Sequence, residues 1–380
     1  MAHGADLGEH ERLMGSTEIV RRRLSAQRIS STAFTRPEEA VAWLGAVQAQ
    51  DYLGALWAVG LRLSAAREQD VERALADRTI VRTWPMRGTL HFVAAADARW
   101  MTELLAPRPL AAAASRLRSF GIDEVVLSRA RRALVESLSG GRRLTRPAAY
   151  EVLARAKVAT EEPRGLHVLW CLAHECLLCF GPREGKQQTF VLFDEWLPHA
   201  KRLPREEALA TLAHRYFSGH GPATDADLAW WSGLTLADVR LAIHLAGQRV
   251  EEESVDGRSY WSAPPPSVAS PSALPGAAHV LPAFDELLVG YTDRTAAVDP
   301  RHADLLTAGG IFNPIVVVGG RVIGTWKRRI ERRAVVCSVA PFASRRTAGG
   351  RAVTDALRRY AAFLGLELQR DDGALPAGRR

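Results

Sequence analysis

Residues 205–262 read REEALATLAHRYFSGHGPATDADLAWWSGLTLADVRLAIHLAGQRVEEESVDGRSYWS, and they give the clearest pattern of secondary structure in the chain. Apolar residues recur at helical spacing up to Gly221-Pro222, where that helix must end. Thr224 and Thr235 can each cap one of two further helices. Two strands then flank Asp256-Gly257, a pair typical of a two-residue hairpin turn. The predicted order is therefore helix, helix, turn, helix and β-hairpin.

The same kind of order occurs twice upstream. In residues 1–120, two predicted helices meet at Gln48-Ala49-Gln50, and TIVRTWPMRGTLHFV then predicts two strands turned around residues 85–88. In residues 121–204, Thr145 can cap a helix, and LLCFG and TFVLF flank a polar turn. A helix-turn-helix followed by a hairpin is the order of a winged helix, so three units are predicted, at 1–120, 121–204 and 205–262.

The remainder of the chain has a different pattern. Residues 263–276 (APPPSVASPSALPG) hold too many prolines and small residues for regular structure, which predicts a linker. Residues 277–380 contain three apolar strand-like runs and a closing helix at about 350–364. We expect a β-rich, barrel-like domain there. The predicted fold class is α+β, with tandem winged-helix units followed by this domain.

Composition permits a polyanionic partner. The formal charge is +8, and only 4 of the 50 basic residues are lysine. Arginine suits phosphate because its planar group donates hydrogen bonds in pairs, although a genome rich in G and C would also favour arginine. No run of about 18 apolar residues predicts a membrane span, and residues 1–11 do not resemble a secretory signal. We expect a cytoplasmic protein, monomeric because no helix has a dimerising pattern.

The four cysteines do not predict a metal site. Cys176 and Cys179 have CxxC spacing, with Cys171 and His174 nearby, but no second pair exists to complete a zinc site. Their stretch has a helical apolar face, so buried structural thiols are the better interpretation. We expect no metal and no organic cofactor.

Polar side chains at the break between the first two helices could hold a water molecule. In an extended segment, Gln48 and Gln50 point the same way, and their amides offer both donors and acceptors. A solvated inter-helix loop is the alternative. The hairpin that follows is dense in basic and aromatic residues, as a phosphate-contacting wing would be: Arg82, Trp84, Arg87, Thr89 and His91. Its alternative is a surface hairpin with Trp84 buried.

Four segments together resemble the AlkZ-like (YcaQ-related) DNA glycosylases: VQAQD, RTWPMRGTLHF, LPAFDELLVGYTDR and GGRVIGTWKR. The resemblance implies tandem winged helices and a C-terminal β-barrel forming a C-shaped, DNA-binding molecule. It also implies excision of alkylated bases, including interstrand crosslinks and bulky natural-product adducts. The family signature is Gln, an apolar residue, then Gln or Asp. Gln48-Ala49-Gln50 matches it, which implies that Gln48 and Gln50 position the attacking water.

The resulting functional prediction is a monofunctional DNA glycosylase without a cofactor, acting in DNA repair or self-resistance. Its expected substrates are cationic N7-guanine and N3-adenine adducts in duplex DNA. Asp51 lies one position beyond the signature, so its role stays open between helix capping and electrostatics. Arg82, Arg87, His91 and Lys327 are candidate DNA contacts. The alternatives are a non-catalytic winged-helix regulator and a protein that binds lesions without excising them.

Overall fold

The computed structural model describes residues 16–32, 34–264, 276–308, 311–343 and 350–371, and these form an α+β fold. Within those ranges, no helix is both long and apolar enough to cross a bilayer. The predicted linker at 263–276 falls almost wholly outside the described residues.

The first part of the chain forms six helices and a three-stranded sheet in the described ranges. Its helices are α1 (16–26), α2 (Pro37–Leu44), α3 (Tyr52–Gly60), α4 (Glu68–Ala76), α5 (Ala98–Leu105) and α6 (Pro107–Ser119). Its strands are β1 (Val47–Gln48), β2 (Ile80–Met86) and β3 (Thr89–Ala94). The two helices predicted around Gln48 and the hairpin are present. The first of these helices was expected to reach Gln48 but ends at Leu44, and Val47 instead pairs with Phe92 in β3.

The second part again joins helices to a hairpin. Its helices are α7 (Glu124–Leu138), α8 (Arg146–Arg155), α9 (Arg164–His174) and α10 (Phe193–Trp196). Its strands are β4 (Leu144–Thr145), β5 (Leu178–Glu184) and β6 (Gln187–Leu192). Thr145 caps α8 by accepting from Ala148 N, as predicted.

The third part matches its sequence closely. It contains α11 (Arg205–His220), α12 (Asp225–Ser232), α13 (Leu236–Ala246), the 3-10 turn Gly247–Arg249, β7 (Glu251–Val255) and β8 (Arg258–Ser262). Thr224 and Thr235 cap α12 and α13 through their hydroxyl oxygens. Asp256 and Gly257 form the hairpin turn with φ of 51° and 72°, the left-handed backbone that such a turn requires.

A shared topology relates these three parts. In each, a short extended segment precedes a helix and pairs with the second strand of the hairpin: β1 with β3, β4 with β6, and Ala223 with Trp261. Residues 47–50, called the Gln48 segment below, therefore occupy the position that Leu144–Thr145 and Ala223 occupy in the other two parts. The repeat is visible in backbone pairing although no residue-level repeat is evident in the sequence.

The C-terminal part is built on one five-stranded sheet in the described ranges. It contains β9 (Ala278–Leu281), α14 (Glu286–Val289), the 3-10 segment Pro300–Leu306, β10 (Thr307–Ala308), β11 (Ile311–Phe312), β12 (Ile315–Val318), β13 (Arg321–Ile330), β14 (Ala334–Pro341), α15 (Arg351–Leu364) and β15 (Glu367–Arg370). The sheet order is β15-β14-β13-β12-β9, and only the β14–β15 pair is parallel. Because β9 and β15 are unpaired edges among the described strands, this is an open sheet and not the closed barrel that the resemblance implies.

The C-terminal sheet shares a hydrophobic core with α1 to α3. Trp57 of α3 donates to Val280 O, and its ring meets Tyr360 of α15 edge-on at 5.2 Å. Arg62 and Asp285, both fully buried, form a two-pronged ion pair at 2.9 and 3.1 Å. These contacts hold α3, which follows the Gln48 segment directly, against the last third of the chain.

Candidate active site

The Gln48 segment runs along β3. Gln48 pairs with His91, and Ala49 N donates to Leu90 O at 2.7 Å. The segment is extended, so the side chains of Gln48 and Gln50 fall on the same side, and Gln48 Nε2 donates to Gln50 Oε1 at 2.5 Å. Gln48 is 7% exposed, whereas Gln50 is exposed and lines a cleft. The structure thus brings the two predicted glutamines together.

The hairpin turn between β2 and β3 places Arg87 beside Gln48. Arg87 and Gly88 have φ of 52° and 70°, which closes the hairpin in two residues. Arg87 Nη2 donates to Gln48 Oε1 at 3.0 Å, and Nη1 donates to the carbonyl oxygen of Trp231. Burial lowers the pKa of Arg87, although the Glu286 carboxylate opposes that shift.

The Arg87 contact determines which way the glutamine amides face. A guanidinium only donates, so Gln48 must present its oxygen to Arg87 and its NH2 group to Gln50. Gln50 then accepts with Oε1, and no group in the described ranges bonds to its Nε2. Two amide oxygens with spare lone pairs and one unused NH2 group are left for a ligand or a water molecule.

Arg82 is buried, with only 7% of its surface exposed at the cleft, and its guanidinium bonds to the backbone of this segment. Its Nε and Nη2 donate to Ala49 O at 3.1 and 2.7 Å, and the side chain is buried between the rings of Tyr52 and Phe180. This burial lowers the pKa of Arg82 to about 10. A guanidinium held in this way cannot make the predicted phosphate contact, because its donors are directed at the protein backbone.

His91 is fully buried, so the structure does not place it where DNA could reach it. Its Nδ1 lies 2.9 Å from Thr89 O, and its Nε2 lies 3.5 Å from Arg87 Nη2. Burial, assisted by the Arg87 charge, lowers the pKa of His91 to about 3. A neutral imidazole with Nδ1–H donating to Thr89 and Nε2 facing Arg87 fits both contacts.

Asp51 and Lys327 lie toward the C-terminal sheet. Asp51 occupies the N-cap position of α3, but its side chain makes no capping bond and instead accepts from Arg328 of β13 at 3.2 Å. The neighbouring Lys327 is exposed. Of the four candidate DNA contacts, only Lys327 is exposed; Arg82 and His91 are buried, and Arg87 is partly buried in the site.

A buried carboxylate behind Gln48 had no role assigned from the sequence. Glu286 is fully buried, and Oε1 accepts from Gln48 N at 3.3 Å. Its Oε2 accepts from Trp231 Nε1 at 2.8 Å and lies 3.1 Å from His220 Nε2. The signal available in the sequence was the acidic pair Asp285-Glu286 inside the apolar run LPAFDELLV, since buried acids need partners.

A cleft of about 620 Å³ opens above Gln50, between the first hairpin and the second helix-and-hairpin part. Its walls are mainly apolar, and its polar groups are basic, amide or hydroxyl. The lining residues besides Gln50 are Arg82, Trp84, Gly88, Thr89, Leu90, Arg146, Pro147, Leu166, Phe180, Lys186, Gln187, Gln188 and Phe190. Trp84 is itself buried and packs on Phe180 with ring centroids 4.9 Å apart. Arg146 and Lys186, which the sequence did not single out, contribute positive charge to this cleft.

The cysteines take no part in the site. All four are buried and free, and burial raises the pKa of Cys171 to about 12 and that of Cys176 to about 11. Across the described ranges, no three His, Cys, Asp or Glu side chains converge as metal ligands would.

The fold and this site define a class of protein. The sequence profile of the AlkZ-like DNA glycosylases matches residues 41–363, so the chain belongs to the AlkZ-like DNA glycosylase family and is an enzyme of that class. Membership favours the enzyme over a non-catalytic regulator or a passive lesion-binding protein.

Comparison with individual proteins identifies relatives from Streptomyces sahachiroi. The chain is 29% identical over 311 residues to the interstrand DNA cross-link repair glycosylase of that organism, covering 76% of this chain and 81% of the relative. The solved structure of the Streptomyces sahachiroi DNA glycosylase AlkZ superposes with a TM-score of 0.77 at 25% identity. That superposition covers 93% of this chain and 99% of the other.

Proposed function

We propose that this enzyme excises cationic N-alkylated purines from duplex DNA by directing water at the sugar C1′. The observation that carries the proposal is the Gln48–Gln50 side-chain pair, oriented by Arg87 at the edge of the cleft. Gln48 and Gln50 are the water-positioning residues in this proposal. Asp51, 33% exposed and paired with Arg328, contributes negative charge near the segment and does not cap its helix.

The chemistry follows from what an amide can and cannot do. Glutamine does not titrate, so neither Gln48 nor Gln50 can take a full proton from water or give one to a leaving base. A guanine alkylated at N7 or an adenine alkylated at N3 carries a positive charge and leaves readily. The base leaves as a neutral molecule with the electrons of its bond to C1′, and the sugar develops oxocarbenium character. A water held by two amide oxygens captures the sugar, and its proton passes to bulk water, so no strong base is needed.

The cleft supports bulky lesions among the substrates. Its volume of about 620 Å³ exceeds what a single base needs, and its apolar and aromatic walls suit a planar or hydrophobic adduct. The relative from Streptomyces sahachiroi is named for interstrand cross-link repair. We extend that class of lesion to this chain, with DNA repair or self-resistance against an alkylating natural product as its setting.

Duplex DNA is the proposed partner, and the three helix-and-hairpin parts are proposed as tandem winged-helix units around it. Lys327, Arg146 and Lys186 are exposed, and we propose that they neutralise phosphates, which would make binding depend strongly on salt. We propose that the enzyme is monomeric and monofunctional, so that its product is an abasic site in an unbroken strand.

A panel of single-lesion duplexes under enzyme excess tests the proposal. We expect release of N7-alkylguanine and N3-alkyladenine, strand breaks only after heat or alkali, and at least about a hundredfold slower release of uracil or 1,N6-ethenoadenine. Undamaged duplex of the same sequence is the control. No release of any cationic base would refute the proposed function. Equal rates on neutral and cationic lesions would refute the mechanism, because a true acid or base would then be at work.

A further inference from the structure

We infer that Glu286 is a positioning residue for base excision, acting through the backbone and the amide orientation of Gln48. The inference rests on the proposed function, since it concerns the same site. It adds a residue that lies 238 positions from Gln48 in the sequence and touches neither the cleft nor the exposed amide of Gln50.

The Glu286 carboxylate accepts hydrogen bonds from two separate elements and contacts a third. Oε1 accepts from the backbone N–H of Gln48 in β1, and Oε2 accepts from the indole N–H of Trp231 in α12. His220, at the end of α11, approaches Oε2 with Nε2 at 3.1 Å. All three side chains in this cluster are buried, so no solvent competes for the carboxylate.

Hydrogen bonds connect Glu286 to Gln48 by two routes. Trp231, held by Glu286 through its indole, presents its backbone carbonyl to Arg87. Arg87 in turn donates to Gln48 Oε1 and so orients the amide. Glu286 therefore acts on Gln48 twice, directly at the backbone and indirectly through Trp231 and Arg87. Its negative charge also favours the charged form of Arg87 in a buried setting.

Glu286 is itself held rigidly by the residue before it. Asp285 receives two hydrogen bonds from the buried Arg62 and caps α14 by accepting from Leu287 N at 3.0 Å. The backbone that carries Glu286 is thus tied to Arg62, two residues after the end of α3. A group fixed on a rigid element can hold a catalytic side chain within the narrow geometry that water attack needs.

An acceptor-only group is required at this position. Glu286→Gln keeps the shape but turns one oxygen into an NH2 group, which must then face a donor from Gln48, Trp231 or His220. It also removes the charge that balances Arg87. Glu286→Asp keeps the charge and both acceptors on a shorter side chain, so it should restore part of the activity that Glu286→Gln removes.

The first experiment measures single-turnover excision of N7-alkylguanine, duplex affinity and melting temperature for the full-length variants. We expect at least a tenfold slower rate for Glu286→Gln, with Kd within about twofold of wild type and Glu286→Asp intermediate in rate. Asp97→Asn is the matched control, because Asp97, like Glu286, is a buried carboxylate bonded to a tryptophan indole (Trp100); it binds Arg215 and lies outside the site. The control should keep the wild-type rate.

A double-mutant cycle separates positioning from general destabilisation. If Glu286 acts through the amide of Gln48 as well as its backbone, the rate reductions of Glu286→Gln and Gln48→Ala should combine to clearly less than their product. Rate reductions that multiply would overturn the inference, as would a wild-type rate in folded Glu286→Gln. If that variant does not fold, Trp231→Phe removes one indole N–H, and a wild-type rate there would equally overturn it. An inactive wild-type enzyme would refute the proposed function instead.

Discussion

Arg87 donates to the side-chain oxygen of Gln48 at 3.0 Å, and this contact orients two amides. With its oxygen held by Arg87, Gln48 directs its NH2 group at Gln50 and donates to Gln50 Oε1. A residue predicted as a phosphate contact is therefore placed within the candidate active site. The same guanidinium is held by the carbonyl of Trp231 on α12, so the site joins the first hairpin to the third part of the chain.

Substitution of Arg87 distinguishes orientation from phosphate binding. Arg87→Lys keeps a positive charge but cannot reach both Gln48 and Trp231 with a planar fork. We expect single-turnover excision at saturating enzyme to fall by about tenfold, with duplex Kd changed by less than about threefold. If Arg87 only binds phosphate, the reverse pattern would be measured, with weaker binding and an unchanged rate at saturation.

Removal of either glutamine amide should slow the chemical step. We expect Gln48→Ala and Gln50→Ala each to lower single-turnover excision by at least about tenfold, roughly 1.4 kcal/mol of barrier, with nearly unchanged DNA affinity. Gln248→Ala is a matched control, since Gln248 is an exposed glutamine of the third part and does not line the cleft. Wild-type excision by both glutamine variants would remove the proposed site.

Arg82 and Lys327 should respond differently to salt. The slope of log affinity against log salt becomes shallower by about 0.9 for each phosphate that the protein no longer neutralises. Lys327 is exposed, so Lys327→Ala should reduce that slope and weaken binding on any sequence. Arg82 is bonded to Ala49 O, so Arg82→Met should leave the slope unchanged and slow excision by displacing the segment. Salt titrations of duplex binding, run beside single-turnover assays, test both; equal slopes for wild type and Lys327→Ala would contradict the first part.

The buried His91 should make stability depend on pH. Its pKa falls from an ordinary value of 6.5 to about 3 in the folded state, so below pH 6.5 the unfolded chain binds a proton that the folded chain does not. Stability is therefore lost as the pH falls from about 6.5 towards 3. This single group accounts for on the order of 2 kcal/mol between neutral pH and pH 5.

Denaturant unfolding at pH 7 and pH 5 measures this dependence. His91→Asn keeps a donor for Thr89 O but cannot titrate, so the difference in unfolding free energy between the two pH values should shrink by about that amount. His199→Asn, a change at an exposed histidine, is the control and should leave the difference as in wild type. An unchanged pH difference in His91→Asn would show that His91 is not held neutral.

Local patterns in the sequence suffice to predict most of the helices, strands and turns. The caps at Thr224 and Thr235, the Asp256-Gly257 turn and the break at Gln48-Ala49-Gln50 depend on residues a few positions apart, so short-range sterics and hydrogen bonding suffice to predict them. The same holds for the closing helix, predicted at about 350–364 and observed as Arg351–Leu364. Alternation in an extended strand likewise placed Gln48 and Gln50 on one side.

The surroundings of each side chain follow from contacts between distant parts of the chain. The hairpin sequence cannot show that Phe180 from the second part covers Arg82, or that Arg87 is held by Trp231 from the third, because a strand pattern gives two faces without naming what packs on either. Glu286 reaches Gln48 through packing of the C-terminal part on α3, a contact between distant segments that no local periodicity encodes. The open C-terminal sheet also could not be predicted from local patterns. A barrel would require the edge strands β9 and β15 to pair, and the strand patterns of the sequence do not show whether these two strands meet.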